Sequence, residues 1–217
     1  MGTRHWLNSY GNIPADIDAD RYPSMFELLN AALKRHASRP AFKAFGQTLT
    51  YADVDRLAQS FAAYLQNKLG VERGDRVAVM MPNLLAFPVT LLGIMRAGAI
   101  QVNVNPLYTA RELEHQLNDA GVETIVIFNG STPTLAEVRA NTRLKTVITV
   151  GVGDASGANL PSPPVDARLG GSVSFAEALD QGSGLALRPV ALTGDDLLFL
   201  QYTGGTTGLS KGAALSH

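Results

Sequence analysis

Between Arg76 and Phe128 the sequence alternates short, unbroken apolar runs with longer helical patterns. Val77 to Met81 reads as a buried strand, Leu84 to Arg96 as an apolar helix, and Ala99 to Val104 as a second strand ending at Asn105-Pro106. Thr109 and Glu112 have capping-box spacing and open a helix through Leu113, Leu117 and Ala120, which Gly121 closes. Thr124 to Phe128, Thr146 to Val150 and Leu197 to Gln201 extend the series of strands, with helices near Thr134 to Ala140 and Phe175 to Asp180. Strands separated by helices must reach one another by crossover connections. The pattern therefore predicts an α/β fold, a largely parallel sheet with flanking helices.

Upstream, Ser24 and Glu27 have the spacing of a capping box before a helix over 25–36. Ala41 to Phe45 and Thr48 to Thr50, joined at Gly46, predict a small hairpin. Thr50 then caps an amphipathic helix with Val54, Leu57, Phe61, Tyr64 and Leu65 on one face and Gly70 at its end.

Composition narrows the function classes. With 217 residues, 46% hydrophobic and 17% charged, the chain can bury a substantial core as a soluble globular protein. A formal net charge of -1 without a basic cluster argues against a nucleic-acid partner. Zero cysteines excludes disulfides, thiolate metal sites and cysteine nucleophiles, and fits a reducing, cytoplasmic setting. The first residues, MGTRHWLNSY, carry neither a secretory core nor a myristoylation signal. The longest nearly apolar run, Leu84 to Met95, falls short of the roughly 20 residues a spanning helix needs. Peripheral contact with an inner membrane and a homodimer both stay open.

Residues 151–172, GVGDASGANLPSPPVDARLGGS, break the alternation and read as a mobile surface loop. Gly151, Gly153 and Gly157 imitate a dinucleotide-binding fingerprint, but the third glycine is displaced by one position. Pro161, Pro163 and Pro164 then forbid the helix on which a pyrophosphate would rest.

A second glycine-rich stretch is different in kind. After the strand Leu197 to Gln201 come Tyr202, Thr203, Gly204, Gly205, Thr206, Thr207, Gly208, Leu209, Ser210 and Lys211. Glycines at 204, 205 and 208 let backbone N–H groups converge on one anion where Cβ atoms would obstruct it. Thr203, Thr206, Thr207 and Ser210 add hydroxyl donors and Lys211 a point charge, which together suit a polyphosphate. The loop is not a Walker A motif. Counted from Gly205, that frame requires glycine at 210 and a hydroxyl residue at 212, where the sequence has Ser210 and Gly212. Ala213 to Leu215 reads as a further strand short of partners, which predicts exposed apolar surface nearby.

QYTGGTTGLSKGAALSH resembles the phosphate-loop signature of the adenylate-forming superfamily, which includes acyl-CoA synthetases, luciferases and peptide-synthetase adenylation domains. Residues 74–121 and the segment RYPSMFELL are similar to bacterial long-chain fatty-acid–CoA ligases in particular. The resemblance implies part of the large N-terminal domain of such an enzyme. By that resemblance the AMP-binding domain is expected to be incomplete over 1–217, with the small C-terminal domain absent. It implies two steps: a fatty-acid carboxylate attacks the α-phosphate of ATP to give acyl-AMP and pyrophosphate, and coenzyme A then displaces AMP. In such enzymes the loop matching Thr203 to Lys211 holds the β- and γ-phosphates, with Mg²⁺ neutralising charge, and Thr206 and Lys211 carry the catalytic role. The family's adenine, ribose, magnesium, fatty-acid and catalytic-lysine positions have no counterparts here, so these 217 residues alone are expected to be inactive. Two other readings are a ligase passing its acyl-adenylate to a carrier protein and a non-catalytic nucleotide-binding α/β module.

Other polar residues receive plainer readings. His115, beside Glu112 and Glu114, lacks a second histidine at ligand spacing and is expected to be solvated. Asn103, Asn105 and Tyr108 end a strand and read as turn chemistry, and His217 reads as structural.

Overall fold

The computed structural model describes residues 4–18, 20–203 and 210–217. Helix α1 (Met25–Arg35) is capped by Ser24, whose Oγ accepts from the Glu27 amide at 3.2 Å. The reciprocal bond from the Glu27 side chain is not among the contacts, so the expected box is here a simple cap. Strands β1 (Pro40–Ala44) and β2 (Gln47–Thr50) pair antiparallel through a two-residue turn in which Phe45 and Gly46 both have positive φ, 50° and 72°. That conformation matches the right-handed twist of a hairpin. Helix α2 (Tyr51–Lys68) begins with a full capping box between Thr50 and Asp53, and holds Asp53 below the usual carboxylate range chiefly through the Thr50 hydroxyl.

The main body follows in chain order: β3 (Arg76–Met80), α3 (Ala86–Ala97), β4 (Ile100–Asn103), α4 (Ala110–Asp119), β5 (Thr124–Phe128), α5 (Thr132–Val138), β6 (Thr146–Val150), β7 (Val173–Ser174), α6 (Phe175–Gly182), β8 (Leu197–Thr203) and β9 (Lys211–Ser216). Among the described residues seven strands form one sheet in the order β7-β6-β5-β3-β4-β8-β9. Every pair is parallel except β8–β9. Two features go beyond the sequence reading: the two-residue strand β7 and the antiparallel edge. Pro88 lies in the first turn of α3, where the backbone needs no intrahelical donor.

Side-chain alternation along the strands divides the interior. On one face Val77, Val79, Val126 and Ile148 pack against α2, α3 and α6. On the other, Ala78, Met80, Val102, Ile125 and Ile127 pack against α4 and α5 through Leu113, Leu117 and Leu135. Phe61 of α2 and Phe175 of α6 are fully buried with ring centroids 5.0 Å apart at 53°, a tilted pair worth about 0.5–1.5 kcal/mol beyond its buried area. The three helices on that face approach closely because glycine permits it. A Cβ at Gly182 would stand 2.0 Å from the Ser60 carbonyl oxygen, and one at Gly93 would stand 2.6 Å from the Phe61 ring.

Residues 151–172 are irregular, as expected, but not wholly on the surface. Gly151, Gly153, Ala155 and Leu169 are buried, and Asp154 and Ser162 accept from the amides of Gly151 and Val152 at 2.9 and 2.8 Å. Gly153 lies so near the Ala158 carbonyl that a Cβ would sit 1.8 Å from it. These glycines serve a tight turn, which agrees with rejecting the dinucleotide fingerprint. Among the described residues no helix is long and apolar enough to cross a membrane.

Candidate functional site

The parallel strands all end on one edge of the sheet, with Val79, Asn103 and Gln201 in register across β3, β4 and β8. From β3 the chain steps to β4 and then back past β3 to β5, so α3 and α4 lie on opposite faces. A crevice opens at such a reversal, at the carboxyl ends of the strands, and this is where open α/β sheets place their ligands. β8 is the other neighbour of β4, and Thr203, its last residue, reaches the same edge.

The returning strand β9 fixes the mouth of the loop. Thr203 and Lys211 face each other in the antiparallel ladder and both are exposed. Gly204, Gly205, Thr206, Thr207 and Gly208, with Leu209, lie outside the described residues. Lys211 pairs with no carboxylate among the described residues, so its charge is available to an anion. Ser210 is half-buried.

Tyr202 points the other way, as strand alternation requires. It is buried, its hydroxyl donates to Asp119 Oδ2, and its ring covers Gly212, where a Cβ would stand 2.9 Å from the ring edge. Burial first, and the bond to Asp119 second, push the phenol well above its ordinary range. Tyr202 thus reaches α4 through its hydroxyl, while its backbone leads into Thr203.

Helix α4 organises this edge. Its start is set locally: the Thr109 amide donates to Glu112 Oε2 at 2.8 Å, and that bond, followed by the Thr109 hydroxyl, lowers the Glu112 carboxyl. Leu113 and Leu117 bury one stripe. Gln116, in the same stripe, is fully buried and donates to the Asn103 carbonyl at 2.7 Å.

A row of amides then crosses from β4 to β8, with Gln101 Nε2 donating to Asn103 Oδ1 at 2.6 Å and Asn103 Nδ2 donating to Gln201 Oε1 at 2.7 Å. Asn103 was expected in a turn and instead joins two strands. Asn105 does make the turn, its Oδ1 accepting from the Leu107 amide at 3.0 Å, while Tyr108 packs against the core under α4.

His115 also departs from expectation. It is half-buried, and its Nε2 lies 3.2 Å from the Ser210 carbonyl oxygen. No local pattern announces that contact, because its partner is 95 residues away. His217 matches its structural reading: its amide donates to the Asp196 carbonyl at 3.0 Å, and burial lowers the imidazole. As expected, apolar side chains are exposed along the last strands, including Leu197 and Leu215.

A largely parallel α/β sheet whose strand order reverses at its carboxyl edge defines the class of open, doubly covered α/β domains. The family model of AMP-binding enzymes matches residues 29–217, and the chain belongs to that family. Long-chain-fatty-acid–CoA ligase of Salmonella typhimurium is 46% identical over 98% of this chain and 40% of its own length. The enzyme of that name from Haemophilus influenzae is 43% identical over 93% of this chain and 38% of its own. This chain therefore spans about 40% of the length of such relatives. Among solved structures, an anthranilate CoA ligase in complex with anthranoyl-AMP superposes with a TM-score of 0.79 at 23% identity, over 93% of this chain and 36% of that one, a likeness of fold. A long-chain-fatty-acid-CoA ligase from Archaeoglobus fulgidus gives 0.70 at 27% identity, over 89% of this chain and 37% of that one.

Proposed function

We propose that this chain is the N-terminal portion of the AMP-binding domain of a long-chain fatty-acid–CoA ligase. The enzyme would convert fatty acid, ATP and coenzyme A to acyl-CoA, AMP and pyrophosphate through an acyl-adenylate. The observation that carries the reading is 46% identity sustained over 98% of the chain to a relative of that name.

In this reading the segment from Thr203 to Lys211 grips the β- and γ-phosphates of ATP. Backbone amides of Gly204, Gly205 and Gly208 and the hydroxyls of Thr206, Thr207 and Ser210 donate to phosphate oxygens. Lys211 offsets the charge that grows on pyrophosphate as it leaves, and donors aimed at developing charge lower the barrier. Tyr202, tied to Asp119, steadies the strand that leads into this segment. Its place at the carboxyl edge, opening between Thr203 and Lys211, suits this role.

Mg²⁺ would neutralise phosphate charge when bound. Among the described residues no cluster of three or more acidic or histidine side chains is arranged to hold a metal, so none is assigned to it. The proposed setting is cytoplasmic, with peripheral contact at the inner membrane.

The test is direct. Palmitate, ATP, Mg²⁺ and coenzyme A supplied to the full gene product should yield AMP, pyrophosphate and palmitoyl-CoA. Release of ADP would overturn adenylation, and transfer to a carrier-protein thiol in place of coenzyme A would overturn the acid–thiol step.

A further inference from the structure

We propose that His115 is a positioning residue for Ser210 and Lys211 at the start of β9, acting through the Ser210 carbonyl and not on a ligand. The kinetic consequence rests on the ligase reading above; the geometry does not.

One face of helix α4 meets the chain on either side of residues 204–209. His115 Nε2 contacts the Ser210 carbonyl, and four residues on, Asp119 accepts from the Tyr202 hydroxyl. Side chains four apart on a helix are neighbours. Tyr202 immediately precedes Thr203, and Ser210 immediately precedes Lys211. The two residues that face each other at the mouth of the loop are therefore each tied, one residue back, to the same helix.

A carbonyl oxygen can only accept, so the contact requires a hydrogen on Nε2 of the imidazole. The helix is itself well anchored, through the Thr109–Glu112 box, buried Leu113 and Leu117, and the Gln116 bond to Asn103. A fixed helix can therefore hold a strand end that would otherwise fray. β9 is exposed at every residue and lies on the sheet edge, with Lys211 at its start. Edge strands with solvent-exposed ladders open most readily. Ordering a glycine-rich loop around a ligand costs conformational entropy, and a foot already held lowers that cost. On the ligase reading the benefit should appear in the apparent affinity for ATP, whose phosphates this loop is proposed to hold.

Replacement of His115 by Ala and by Gln in the full gene product tests the assignment, Gln retaining a donor at nearly the reach of Nε2. Three quantities are compared: KM for each substrate, the melting temperature, and backbone hydrogen exchange over 210–216 without nucleotide. We expect His115→Ala to raise KM for ATP roughly 5- to 20-fold, the size of one lost hydrogen bond, and to speed exchange over 210–216. KM for palmitate should stay within about two-fold, and His115→Gln should recover most of both effects. Unchanged exchange in His115→Ala overturns the proposal. So does equal impairment in both variants, or a joint rise in every KM with a lower melting temperature. Wild-type protein that forms no acyl-adenylate refutes the ligase reading instead, and the exchange comparison then decides the role of His115 alone.

Discussion

Arg96 of α3 and Asp55 of α2 are joined by an ion pair in which the guanidinium is almost wholly buried, and Arg96 Nη1 also donates to the Asp55 carbonyl at 2.7 Å. The α2–α3 interface thus carries a charge that cannot be left unpaired. Asp55→Ala should destabilise the fold by about 3 kcal/mol, because it strands a buried cation. Replacing both partners, as in Asp55→Ala with Arg96→Met, should cost less than the single change. Urea unfolding of the two variants provides the comparison.

Close helix packing yields a second expectation. Gly182→Ala places a Cβ 2.0 Å from the Ser60 carbonyl, a backbone atom that cannot swing aside. The variant should lose about 1–3 kcal/mol, the usual cost of overpacking, with most of the strain between α2 and α6. Gly184→Ala, which meets open space but has φ +80°, should lose only about 1 kcal/mol from backbone strain. Equal losses at the two positions would contradict the packing account.

Acid stability should depend on Asp196. The Arg73 guanidinium first, and the Thr193 amide at 2.7 Å second, hold its carboxyl at about 2. A carboxylate lowered on folding contributes stability that is complete above its unfolded value near 3.8 and is lost as pH falls toward 2. Asp196→Asn should therefore lower stability at neutral pH and flatten the fall between about pH 4 and pH 2. Melting temperatures across that range would reveal it.

The loop lysine supplies a kinetic expectation. Lys211→Ala in the full gene product should slow adenylation about 10- to 150-fold, the equivalent of about 1.5–3 kcal/mol for a lost charge-assisted bond. Thioester formation from preformed acyl-AMP should be spared, since no triphosphate takes part. An equal loss in both half-reactions would remove Lys211 from the phosphate role.

Helix α4 shows what was legible in the sequence and what was not. Its limits follow from local chemistry, because Thr109 and Glu112 satisfy each other's backbone within one turn. Gln116 carried a signal that went unread: it falls three residues after Leu113 on the apolar stripe, where a buried amide demands a partner. The contacts that build the site span the chain. Asn103 finds Gln201 98 residues on, and Asp119 finds Tyr202 83 residues on. Spacing rules reach one or two turns of helix, so His115 looked like a surface residue until the sheet order brought Ser210 beside it. The same limit hid the antiparallel return of β9, since the residues it pairs with decide its direction.

The sheet order also sets a sequence of events in time. β3, β4 and β5 lie close together in the chain, whereas β8 must close a loop of nearly a hundred residues to reach β4, and that closure costs entropy before any ladder bond repays it. The β8–β9 hairpin can zip up locally, yet it has no seat until β4 is in place. We expect pulse-labelled hydrogen exchange during refolding to protect 77–80 and 124–128 before 198–203. On the ligase reading, a phosphate ligand would then meet Lys211 only on a sheet already assembled, so its binding would report that β8 and β9 have docked.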